Sequence, residues 1–253
     1  MDIKFKEDFI VLWKKFFGET ELPIAFYYTN EEGHAELVKP NTIARRCVVA
    51  ALSLVRKGST LCFDAESIGC SGGQQCLGFR ETGEPDDKYF LSCGIPGKVE
   101  GERYKKTPEI AAEWLKLMPS FKAPARFIVF KRWDSLNESD EPDVVIFFAC
   151  PDVLSGLFTL ANFEETESND VFTPFTSGCG SIVQYPFLEK DSVHPRAVIG
   201  LFDVSARPYV PENTLSFSVS MRKFACMIRN MEESFLTTNS WKAVQKRIQA
   251  TPQ

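Results

Sequence analysis

Histidine is nearly missing from this chain: His34 and His194 are the only two in 253 residues. That scarcity excludes histidine-rich metal sites and leaves His194, in the loop after Cys179, as the base that a cysteine–histidine nucleophile would have to use. No CxxC pair and no ferredoxin-type cysteine run occurs, so the standard zinc and ferredoxin signatures are excluded. Neither the P-loop nor the dinucleotide fingerprint is present. Basic residues are not in excess, with 29 Lys and Arg against 34 Asp and Glu and a net charge of -5. The chain therefore has no general field for nucleic acid or an anionic membrane, and any anion site must be local. No window approaches the roughly 18 apolar residues of a spanning helix. The first residues lack the apolar core and cleavage site of a signal peptide, so the cytoplasm is the expected compartment.

What the chain does have is cysteine, eight in all, together with 44% hydrophobic and 25% charged residues, an ordinary globular mixture. In a reducing compartment these cysteines are expected to be free thiols, small core residues, redox groups or metal ligands rather than disulfides. The densest stretch is SIGCSGGQQCLGF, Ser67 to Phe79, which holds Cys70 and Cys76 among glycines. Glycines at that density allow close backbone approach to a bound group. A shorter relative, SGCGS at Ser177 to Ser181, carries Cys179.

The patterning predicts an α/β domain with a mixed sheet and flanking helices. Apolar residues at helical spacing over residues 2–17 predict an amphipathic helix that docks on the core. Strands are expected at Leu22–Thr29, Thr60–Asp64, Lys88–Cys93, Ala125–Trp133, Asp143–Ala149, Val171–Phe175, Arg196–Val204 and Asn213–Val219. Helices are expected at Thr42–Lys57, with Cys47 inward, at Pro108–Met118 behind a Thr107 cap, at Pro151–Asn162, and at Met221–Ser234 and Ser240–Gln249. No biased linker divides the chain, which reads as one domain over residues 1–253. Its strand and helix order also reads as two related halves, 20–118 and 125–210, followed by a helical segment 221–250. In that alignment the Cys70 loop corresponds to the Cys179 loop, and the two would face each other at one sheet edge, where open α/β sheets bind ligands.

Three chemistries fit those loops. The first is a thiolate-bound metal or iron–sulfur centre drawing on Cys47, Cys70, Cys76, Cys93 and Cys179, with glycine amides left free to hydrogen-bond sulfur. The second is a redox or nucleophilic thiol at Cys70 or Cys179. The third is a metal-free anion or small-molecule site, with the amides of Gly72, Gly73 and Gly180 helped by Arg103, Lys105 or Arg207. Cys62, Cys150 and Cys226 lie in apolar elements and read as core. Asp203 and Arg207, in FDVSARP, and Glu102 beside Arg103 read as solvated loop charges with a secondary claim on the site. A small-molecule ligand or a redox partner is the expected partner.

The segments GCSGGQQCLGF, PDVVIFFACPDVLSGLFTLANF, SGCGS and RAVIGLFDVSARP, in this order, resemble the domain-of-unknown-function family 169 of bacterial and archaeal proteins, over about Leu22 to Trp241. Cys70, Gly72, Gly73, Leu77, Gly78 and Cys179 match its pattern, and Cys47 resembles a third cysteine position. Cys76 falls outside it. The resemblance implies an α/β domain, often from anaerobes, with cysteines as the shared polar feature and no assigned activity.

Overall fold

Strict alternation along the central strands decides which groups face which layer. The computed structural model describes residues 1–32, 36–37, 47–81 and 83–250. Ile24 and Phe26 of β1 (Ile24–Thr29), Ile128 and Phe130 of β4 (Phe127–Arg132), and Val144, Ile146 and Phe148 of β5 (Val144–Ala149) point to one face of the sheet. Ala25, Val145, Phe147 and Ala149, with Phe217 and Val219 of β8 (Leu215–Ser220), point to the other. Both faces are apolar, so both must be covered by other elements.

The second face is covered by α1 (Ile3–Phe17), α6 (Pro151–Ala161), α8 (Met221–Asn230) and α9 (Asn239–Ala250). Their aromatic anchors are Phe9, Trp13 and Phe17 of α1, Phe224 of α8 and Trp241 of α9. The first face carries α2 (Val48–Arg56), α3 (Ser71–Cys76) and a helix that begins as a π turn at Gly180–Gln184 and continues as α7 (Tyr185–Glu189). The cysteine stretches lie on this first face.

Among the described residues the sheet has eight strands in the order β2-β3-β4-β1-β5-β8-β7-β6, with β2 (Glu36–Leu37), β3 (Leu61–Phe63), β6 (Val171–Phe172) and β7 (Ala197–Gly200) as the remaining members. Outward from β1 the order is β4, β3, β2, and outward from β5 it is β8, β7, β6. In both directions the outermost pair is parallel and every other pairing is antiparallel. Each parallel pair needs a crossover: α2 supplies the one between β2 and β3, and the helix over residues 180–189 supplies the one between β6 and β7.

That connectivity corrects the alignment drawn from the sequence. The counterpart of α2 is the 180–189 helix, not α6, so the residue that corresponds to Cys179 is Cys47 and not Cys70. β4 pairs with β1 and β3, so it groups with the first set of strands rather than with residues 125–210. Lys88–Cys93 is not a strand. It folds as a short helix, α4 (Asp87–Phe90), whose end is closed by Gly94 at φ 76° with its amide on the Tyr89 carbonyl, a glycine stop that six apolar-looking residues do not reveal. The glycine loop after Cys70 is the helix α3, and SGCGS opens a helix rather than a loop. Cys47 is the residue before α2, in extended conformation, not an inward helical position; the expected helix start at residues 42–46 lies outside the described residues. Phe158, expected inward, is 44% exposed.

Gly156 shows how closely the second face is packed. A Cβ there would stand 2.4 Å from the Trp241 ring and 2.9 Å from Phe17. Replacing a mid-helix glycine gains up to about 1 kcal/mol of helix propensity, but overpacking costs roughly 1–3 kcal/mol. Gly156→Val is therefore expected to lower the urea midpoint of unfolding, and an unchanged or raised midpoint would show that α9 moves aside freely.

Candidate functional site

Four backbone starts and ends converge on the first face. Cys47 precedes α2 and Cys70 precedes α3, Cys76 ends α3, and Cys179 immediately precedes the π turn. Glycines let these segments touch. A Cβ on Gly178 would stand 3.0 Å from both Val49 and Ala206, and one on Gly73 would stand 3.1 Å from Ile68 and 3.8 Å from Val48. The crossover helix is itself fixed by Ser181, whose hydroxyl donates to the Gly178 carbonyl (2.9 Å) and accepts from the Leu201 amide (3.2 Å). Leu201 adopts φ 67°, an uncommon conformation for a branched residue, and turns the chain straight from β7 into the loop that carries Asp203.

The thiols differ in exposure. Cys70 is exposed, Cys47 half-buried, and Cys76 and Cys179 buried. The Cys76 sulfur lies 3.3 Å from the Ser177 hydroxyl, which also accepts from the Gly180 amide at 3.2 Å. Burial pushes the Cys76 thiol up to about 11; the Ser177 hydrogen bond opposes this, and the charges of Cys70 and Asp203 add to it. Burial holds Cys179 well above the ordinary thiol value, with Cys76, Cys47, Cys70 and Asp203 adding in that order. Burial also raises Cys47, the facing amides of Ala50 and Val49 pull it down, and Cys70 and Asp203 raise it again. Cys179 thus lies within electrostatic reach of the other three sulfurs and of the Asp203 carboxylate. Near pH 7 the two buried cysteines are neutral thiols, not activated nucleophiles.

Asp203 ties the site together. It accepts from the Gly178 amide (3.0 Å) and from the amide and hydroxyl of Ser205 (3.0 and 2.8 Å). The segment between β3 and β4, which bears Cys70 and Cys76, returns over the site through Tyr104 and Lys105. Burial raises the Tyr104 phenol, which bonds Glu102 at 3.0 Å and senses Ser205 and Asp203. The Lys105 ammonium lies 4.0 Å from the centre of the Phe175 ring and 4.9 Å from that of Trp114, joining α5 (Pro108–Leu117) to the stretch before Cys179.

The other expected site residues stand apart or are engaged elsewhere. Cys93 is exposed in the turn after α4, with its thiol donating to the Gly94 carbonyl. Arg207 donates to the carbonyls of Pro211, Glu212 and Thr214 and so holds its own loop. Gly180 gives its amide to Ser177, while Gly72 and Gly73 lie in the first turn of α3, where amides have no intrahelical acceptor. Arg103 is exposed at φ 55°. His194 lines a separate cavity of about 310 Å³ with Leu160, Arg222, Lys223 and Cys226, on the α6 and α8 side of the sheet, away from Cys179. Cys62 is buried as expected, but Cys150 and Cys226 are only half-buried.

Tyr104 and Ser177 carried no chemical signal in the sequence; SGCGS drew attention to its cysteine and glycines alone. Among the described residues, no three His, Cys, Asp or Glu side chains gather closely enough to hold a single metal ion. None of the described helices is long and apolar enough to cross a membrane. The family model described as domain of unknown function 169, uncharacterised ArCR, matches residues 14–230. No curated protein and no solved structure matches.

Proposed function

The chain belongs to the uncharacterised domain-of-unknown-function 169 family, and we propose that it binds a thiolate-ligated metal or iron–sulfur centre that serves electron transfer or sensing. One observation carries this reading: four of the eight cysteines, at positions 47, 70, 76 and 179, come near one another on the first face of the sheet, where Cys179 senses the other three, and all eight are free thiols. Four thiolates are the complement that soft metals and iron–sulfur clusters take. Asp203 accepts three hydrogen bonds from the protein, so its part is to position the Cys179 segment rather than to ligate.

A metal-free anion site has less support, because Gly180 and Arg207 spend their donors on the protein itself. The test is metal analysis of protein purified without oxygen and reconstituted with ferrous iron and sulfide or with zinc. Bound metal removable by chelation is expected. Protein that stays metal-free under every one of these conditions would refute the reading.

A further inference from the structure

We infer that the cavity between α6 and α8 binds a free α-amino acid with an apolar side chain. It encloses about 310 Å³ on the face of the sheet opposite Cys76 and Cys179, which is room for a small metabolite. One stripe of α8 forms a wall: Arg222, Cys226 and Asn230 stand four residues apart, with Lys223 and Met227 beside them, and all five line the cavity. That spacing places them on a single helical face. Leu160 and Ala161 of α6, with Met227, supply apolar surface for a side chain.

The charges of the walls select the ligand. The Lys223 ammonium lies 2.6 Å from both Glu165 and Asp170, so two carboxylates share one cation and a negative charge is left over. Lys223 and Asp170 are buried, where an uncompensated charge is costly. Arg222 has the opposite imbalance. Its guanidinium donates to the carbonyls of Ser192 and Val193, and no described carboxylate pairs with it. A zwitterion corrects both at once. Its carboxylate takes the remaining N–H groups of the Arg222 fork, and its ammonium takes Glu165, with Glu164 adding negative charge at the exposed rim. A plain anion or a plain amine satisfies only one wall.

Asn230 points to a ligand independently of those charges. It is 4% exposed and lines the cavity, and among the described residues its carboxamide has no hydrogen-bond partner. Buried amides are ordinarily bonded, so the partner of this one belongs inside the cavity. A carboxamide both donates and accepts, which suits either end of an amino acid.

The test is isothermal titration of the full chain with L-valine, L-leucine and L-methionine. Isopentylamine and isocaproate serve beside them, since each keeps the leucine side chain and only one of its two charges. The tightest amino acid is expected to bind at least about 10-fold more strongly than either fragment, the effect of one charged hydrogen bond. Asn230→Ala and Arg222→Gln should each weaken it about 10-fold or more. Arg222 is exposed, so thermal unfolding of Arg222→Gln should match the parent and keep the comparison valid if Asn230→Ala folds poorly. No binding by any of the three amino acids, fragments that bind as tightly, or unchanged affinity in either variant would overturn the inference.

Discussion

Cys179→Ala is expected to lose the bound centre, with metal affinity down by more than about 100-fold, while Cys93→Ser binds as the parent does. The contrast follows from placement. Cys179 is buried at the meeting of the crossover helix with α2 and α3, within electrostatic reach of the other three thiols. Cys93 sits in an exposed turn with its thiol on the Gly94 carbonyl. Losing a ligand should cost more than losing a group that only orients one, for which about 10–100-fold is usual. Ser177→Ala belongs to that milder class, because Ser177 holds the Cys76 sulfur and the Gly180 amide together. Metal titration monitored by absorbance, with thermal unfolding of each variant to confirm the fold, separates the three. Equal losses in Cys179→Ala and Cys93→Ser would mean that oxidation or misfolding, not ligation, governs binding.

Lys131→Met is expected to destabilise the fold by about 3–5 kcal/mol, the usual cost of leaving a buried charge without its partner. Asp140 is fully buried and accepts from the Lys131 ammonium at 2.7 and 3.0 Å, the Tyr27 hydroxyl at 2.5 Å and the Asn137 amide at 2.8 Å. Burial by itself raises its carboxyl, but the hydrogen bonds from Lys131, Tyr27 and Asn137, with the Lys131 charge, bring it below the ordinary value. A carboxyl depressed in the folded state stabilises fully above its unfolded value, about 3.9, and that contribution is lost as pH falls through the folded value. Wild type should lose stability through this group as pH falls from about 5 to below the unfolded value. Lys131→Met should show a flatter profile there, because protonation relieves its unpaired carboxylate. Urea unfolding across that range checks both statements, and parallel profiles for the two proteins would contradict them.

The elements most legible in the sequence are those whose apolar pattern is long or whose ends carry caps. FIVFKR and VVIFFA form β4 and β5, the alternation of LSFSVS forms β8, and Thr107 with Pro108 opens α5, the threonine hydroxyl accepting from the Ile110 amide. The 180–189 helix was illegible for a physical reason. Most of its residues are buried, so it shows no polar face, and Pro186 in its middle reads as a stop. Missing that helix led the sequence alignment to match Cys179 with Cys70.

The candidate site was legible in its residue types but not in its grouping. Cys70 and Cys179 stand out by their glycines, and Cys179 lies within electrostatic reach of Cys70, Cys47 and Cys76. Cys93, expected among the ligands, stands apart, because the glycine-closed turn after α4 leads it elsewhere. Tyr104 reaches the site only because the long segment between β3 and β4 folds back over it, a contact that no local spacing encodes.

Residue-resolved alkylation tests the central claim most directly. Cys70 and Cys93 are both exposed, so iodoacetamide followed by peptide mass analysis should label both in protein stripped of metal. After anaerobic loading, Cys70 should become unreactive while Cys93 stays labelled. Equal labelling of Cys70 before and after loading would contradict the claim that these thiols hold the centre.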